Sequence, residues 1–172
     1  MFLKLLKDFS IKKLVKKSLV NYKPVVTEDK IQTVGLLIDE SYFTQKEALI
    51  SEITKNGIDR NALEILIYRD KIKKKDTFEN PFFSRDSISF GAEFQKQDIT
   101  DFINKPFDML ISYYDVEKPP LVLVTLQSKA KFKVGFSTVE KRLNAFMITT
   151  VAEKHSEFVT ELFKYLKILK KI

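Results

Sequence analysis

The sequence predicts a three-layer α/β domain with a mainly parallel sheet, Rossmann-like or flavodoxin-like in outline, preceded by a basic helical arm. Three observations carry this. Apolar runs of strand length at Ile31–Asp39, Leu63–Tyr68 and Phe107–Tyr113 alternate with segments of helical character. The stretch Phe107–Phe136 reads strand, loop, helix, strand, and a connection of that length joins parallel strands through a right-handed crossover. The length, 172 residues, suits one domain with a full core.

Taken in order, Phe2, Leu5, Leu6 and Phe9 share one helical face, and Ile11, Leu14, Val15 and Leu19 share a second, offset face. This is one basic amphipathic helix, or a pair of short ones with Ser10 capping the second, ending before Pro24. Residues 1–23 are therefore read as an arm and 24–172 as the α/β domain, with a linker over Pro24–Lys30. After the first strand, Ser41 or Thr44 is placed to cap a helix running to about Asn56, which Gly57 closes in the left-handed conformation. Leu63–Tyr68 is the second strand.

Lys71–Asp86 reads as an insertion or long loop, and Ser87–Phe90 as a short extra strand. Asp98 is expected to cap a helix over Ile99–Asn104. Pro119-Pro120 presets the first turn of the crossover helix, where the missing N–H does no harm. Gln127-Ser128-Lys129 falls where that helix should end. Phe132–Phe136 alternates as a strand with Lys133 on the other face from its apolar neighbours, and Gly135 marks close backbone approach or a bulge. Ala145–Thr150 is the last strand. Glu153–Lys171 is the last helix, its glutamates early and its lysines late, as the helix dipole favours.

The formal charge of +7 is unevenly placed: residues 1–23 hold seven lysines against one aspartate, +6, leaving +1 for the rest. The absence of cysteine excludes disulfides, thiolate nucleophiles and cysteine-ligated metal, and fits a reducing cytosol. The arm has lysine every two or three positions and no small-residue cleavage site, unlike a secretory signal. No run approaches the roughly 20 apolar residues of a membrane span. The expected location is cytoplasmic.

Candidate chemistry is sparse. Asp39, Asp70 and Asp115 stand at strand ends, on the rim where open parallel sheets bind ligands; they could form a site, or make turns and cap helices. His155 is alone and is expected at the solvated surface. No serine has the context of a nucleophile elbow. The four glycines form no phosphate-binding loop. Lys73-Lys74-Lys75 with Phe78, Phe82 and Phe83 resembles a patch for stacking single-stranded bases, against the alternative of a solvated charge run beside edge-covering aromatics. No catalytic residue, cofactor or metal is assigned.

Two resemblances follow from particular segments. VGLLID, FDMLISYY, SKAKFKVGF and FMI, behind a lysine-rich start, resemble an uncharacterised family of small α/β proteins common in Bacteroidota, a domain of unknown function; this implies a fold and no activity. FDMLISYY, a helix and SKAKFKVGF, about 30 residues in all, are also similar to a segment in the N-terminal half of heptosyltransferase-like glycosyltransferases. The chain lacks room for the second, nucleotide-sugar-binding half, so the likeness speaks to topology.

The functional expectation is a non-enzymatic binding module. Lys4, Lys7, Lys12, Lys13, Lys16 and Lys17 would dock on a large anionic partner by counterion release, RNA or the ribosome favoured, without DNA sequence recognition. The apolar face Phe2, Leu5, Leu6 and Phe9 supports an alternative, an inner-membrane surface, while a helix that packs on its own domain with its lysines outward is the plain reading of the arm. A third alternative is a small transferase-like enzyme using Asp39, Asp70 and Asp115.

Overall fold

The computed structural model describes residues 1–172. Its sheet is built from β1 (Val34–Asp39), β2 (Leu63–Tyr68), β3 (Phe82–Phe83), β4 (Met109–Tyr113), β5 (Lys133–Phe136) and β6 (Phe146–Ile148). All neighbours pair in parallel, in the order β3-β2-β1-β4-β5-β6. This is the Rossmann order, and the direction of winding reverses between β1 and β4. β1 and β4 sit at the centre with every residue buried, which is why their sequences are unbroken apolar runs.

Five α-helices cover the sheet: α1 (Phe2–Leu19), α2 (Lys46–Lys55), α3 (Gln97–Asn104), α4 (Pro119–Gln127) and α5 (His155–Ile168). On one face α2 and α5 bury Leu49, Ile53, Phe158, Leu162 and Phe163 against Leu36, Ile38, Met109 and Val134. On the other, α3 and α4 bury Ile99, Phe102, Leu121 and Val124 against Leu37, Leu66 and Leu110. Gly35 is required here, because a Cβ would come within 2.8 Å of the Phe107 ring. At Gly135 the close approach read from the sequence is made by Asn144, whose Nδ2 would lie 2.6 Å from a Cβ.

α1 adds a fourth layer. Pro120 to Leu126 of α4 are buried all round, and such a helix needs cover on its outer side as well. Ile11, Val15 and Leu19 of α1 supply it, packing on Val122, Leu123 and Leu126 with Ile88, Ala92 and Leu143. The helix is continuous, so Ser10 lies inside it and caps nothing.

Other expectations are adjusted. Lys71–Asp86 is not wholly loop: Phe82–Phe83 adds β3 to the sheet edge. Ser87–Phe90 forms no strand, only an isolated antiparallel bridge from Ile88 to Phe94. α2 starts at Lys46 with no side-chain cap, since Ser41 instead receives the Asp70 N–H. Gly57 closes α2 at φ 110° as expected. Lys133 does lie on the face opposite Val134, but that face is buried under α4.

Candidate functional site

Asp39 ends β1 and Asp70 follows β2, which brings both to the rim beside the point where the winding reverses. Lys118, the residue before α4, reaches between them. Its Nζ lies 2.6 Å from Asp39 Oδ2 and 2.9 Å from Asp70 Oδ2. The Tyr68 hydroxyl donates to Asp70 Oδ1 at 3.0 Å. Burial and the adjacent Asp70 charge push the Tyr68 phenol well above its ordinary range. Burial works against the Asp70 charge, but the bonds from Lys118 and Tyr68 hold its carboxyl below the usual value.

Asp115 is not part of this group. Its Oδ2 accepts the Ala152 N–H at 2.8 Å, and its backbone oxygen accepts the Thr138 hydroxyl. The three strand-end aspartates therefore divide into a lysine-bridged pair and a loop clasp, and no cluster of carboxylates or histidine is composed to hold a metal ion. Lys118 was not legible as a site residue; its one signal was its place as a lone cation in the β4–α4 loop, DVEKPP. Beside the pair, Arg69 donates through Nε and Nη2 to Glu40 Oε2, at 3.2 and 2.9 Å, and Lys46 stands 3.4 Å from the other oxygen.

The lysine arm presents a different surface. At about 100° per residue, Phe2, Leu5, Leu6 and Phe9 centre about 130° around α1 from the docked stripe of Ile11, Val15 and Leu19. They stay 41 to 72% exposed. Lys12, Lys13, Lys16 and Lys17 continue the same outward arc toward the end of the helix. None of the six arm lysines forms an ion pair, while the helix's only acid, Asp8, is bound to Arg85 Nε at 2.6 Å. The outward side of α1 is thus greasy in its first two turns and cationic in its last two.

Two other candidates change character. His155 is not a solvated surface residue: its Nδ1 lies 3.0 Å from Glu52 Oε2, and Ser156 Oγ donates to Glu52 Oε1 at 2.6 Å. Glu52 sits between serine and histidine, so the imidazole cannot act as base on Ser156 through this contact. Despite burial, those two bonds hold the Glu52 carboxyl below its ordinary range. The aromatic patch near Lys73–Lys75 is spoken for as well. Phe78 and Phe82 stack on each other at 4.0 Å, Arg69 and Lys96 cover them, and Phe83 is buried, which leaves little free ring for a base.

Residues 7–169 match a family of unknown function, DUF6913. The chain belongs to that family. The DUF6913 match takes in the α1 residues that dock on α4, as well as Asp39, Asp70 and Lys118. No functionally curated protein matches the sequence. Among solved structures, the chain is similar to a mutant O-GlcNAc transferase of Thermobaculum terrenum, with 11% identity and a TM-score of 0.35 over 68% of this chain and 23% of that one. At that score the likeness carries no argument about chemistry.

Proposed function

We propose that this protein is a non-enzymatic module that docks on an anionic membrane surface through the outward side of α1. One observation carries this: Phe2, Leu5, Leu6 and Phe9 stay exposed on the face turned away from the body, while unpaired lysines continue the same face. A helix that served only its own domain would bury its apolar stripe there, and α1 does so with Ile11, Val15 and Leu19, Leu14 packing partly buried beside them. Entry of the outward side chains into the headgroup boundary would remove that apolar area from water. Each lysine near an anionic surface adds about 1 kcal/mol. No helix of the chain is long and apolar enough to cross a membrane.

Docking on RNA or the ribosome is the second reading, favoured by the +6 charge of residues 1–23 over a nearly neutral body. It uses the lysines and gives the exposed phenylalanines and leucines no task. Flotation with phosphatidylglycerol vesicles separates the two. The variant with Phe2, Leu5, Leu6 and Phe9 all changed to serine should stay at the bottom of the gradient while wild type floats. If both float equally, membrane docking by this face is wrong. Salt-sensitive sedimentation with ribosomes, unaffected by the serine changes, would establish the RNA reading instead.

A further inference from the structure

We propose that the crevice beyond the carboxyl ends of β1 and β2 binds a phosphomonoester whose organic part is flat and apolar. The site is separate from the outward face of α1 and stands independently of any membrane role.

The position is set by the loops that leave β1 and β2. The crevice lies at the carboxyl end of the parallel sheet, on the β2 side of β1, and the winding reverses on the other side of β1. Glu40, Ser41 and Tyr42 line one wall, leaving β1; Arg69 to Lys71 and the lysines of the following loop line the other, leaving β2. The cavity measures about 460 Å³, within the range of small-molecule sites.

The chemistry follows from what is already paired. Each carboxylate of the lining is committed to a cation: Glu40 to Arg69 and Lys46, Asp76 to Arg69, and Asp70 to Lys118. Asp39, beneath the lining, is committed to Lys118 too. What remains is Lys71, Lys73 and Lys75, three ammonium groups on one loop, none with a carboxylate partner. The Asp76 carboxylate accepts the Lys73 N–H at 2.9 Å, which fixes the bend of that loop. The unbalanced charge suits a dianion better than a monoanion or a neutral ligand.

Tyr42 lines the same cavity. It is 75% exposed, and the Lys118 ammonium lies 4.8 Å from its ring centre. A large apolar ring kept open at the mouth of a charged cleft is a surface for another flat group to lie on. Phosphate on the lysines and a ring on Tyr42 together define the ligand class. Its source is either a soluble ester or the phosphomonoester headgroup of a lipid.

Phenyl phosphate contains both recognised parts and no others. Titrated into the full-length ¹⁵N-labelled protein, it should shift the backbone resonances of Tyr42 and of residues 69–76, with a dissociation constant of about 1 mM or lower. Phenol should not. Changing Lys71, Lys73 and Lys75 together to glutamine should weaken phenyl phosphate at least about tenfold. Tyr42→Ala should weaken it while leaving inorganic phosphate unchanged. Silence of those resonances, or an unchanged affinity in the triple glutamine variant, would overturn the site. The source is separated in the variant with Phe2, Leu5, Leu6 and Phe9 all changed to serine, which removes the apolar anchor of α1. Preferential binding to phosphatidylcholine vesicles doped with phosphatidic acid, lost in the triple glutamine background, assigns the headgroup. Binding of phenyl phosphate without that preference assigns a soluble ester.

Discussion

The ammonium of Lys133, on β5, donates to the hydroxyl of Tyr22 at 2.9 Å, joining the segment after α1 to the interior of the sheet. The same Nζ donates to the Thr125 and Leu126 carbonyls, at 2.6 and 3.4 Å, and so caps the last turn of α4. No carboxylate faces it. Burial, with a smaller contribution from Lys129, lowers its pKa from 10.5 to about 8.

That shift has a definite sign. Below pH 8 Lys133 is charged in both states, and the folded state bears the full cost of burying the charge. Between about 8 and 10.5 the folded state releases its proton before the unfolded chain does, so stability rises with pH across that window, by about 3 kcal/mol in all. Lys133→Met should lack this rise. Urea unfolding of both proteins from pH 7 to 9.5 checks it, staying below the range where buried tyrosines contribute the opposite trend. Parallel curves for the two proteins would show that the amine is not the titrating group.

Asp108 ties the entry of β1 to the entry of β4. Its Oδ2 accepts the N–H groups of Gln32 and Thr33 and the Thr33 hydroxyl at 2.9 to 3.1 Å, and Lys131 donates to Oδ1 at 3.0 Å. Partial burial opposes the charge, but these bonds dominate and lower its pKa from 3.8 to about 2. Its contribution is present above pH 4 and is lost as the pH falls toward 2, since the unfolded chain takes up the proton first. Asp108→Asn should cost about 2 kcal/mol at pH 7 and almost nothing near pH 2, read by chemical denaturation at both pH values.

Lys118 is the sole cation on Asp39, whose carboxylate is otherwise buried with only the Ser41 N–H, at 2.9 Å, to satisfy it. Lys118→Met should therefore destabilise by about 3 kcal/mol, because it strands a charge rather than because the ion pair is worth that much. Adding Asp39→Asn removes the stranded charge and keeps the Ser41 contact through the amide oxygen. The double variant should regain at least about half of the loss by thermal or urea unfolding. A double variant no better than the single one would mean that Lys118 acts through Asp70 or through packing on Tyr42 and Tyr68.

The central strands were legible because each is a continuous apolar run of strand length with turn residues at its ends, whereas α4, whose β-branched run would also suit a strand, was read as a helix from its place between two strands and from Pro119-Pro120. β3 was not, since two residues after Pro81 have no period, and only pairing with β2 makes Phe82–Phe83 a strand. At the site, Asp39 and Asp70 were placed by their position after strands, yet nothing local in DVEKPP says that Lys118 turns back over β1. That contact is made by the winding of the sheet. The fourth layer did leave a trace: PLVLVTL has no polar face, so it required a cover, and the second stripe of the arm was available to be one.

The two stripes of α1 differ in what they do for folding, and that difference can be measured within one helix. Ile11 is fully buried among Val122, Leu123 and Leu143, so Ile11→Ala leaves a cavity and should cost about 2 to 4 kcal/mol. Phe9, two residues earlier and on the opposite side, touches no buried cluster. Phe9→Ser should change stability by less than about 0.5 kcal/mol. Urea midpoints of the two variants decide it. A large loss from Phe9→Ser would mean that the first two turns of α1 are packed in solution, and the exposed apolar face would then not exist. A small loss from Ile11→Ala would mean that α1 lifts off the body, and that α4 tolerates an uncovered outer side.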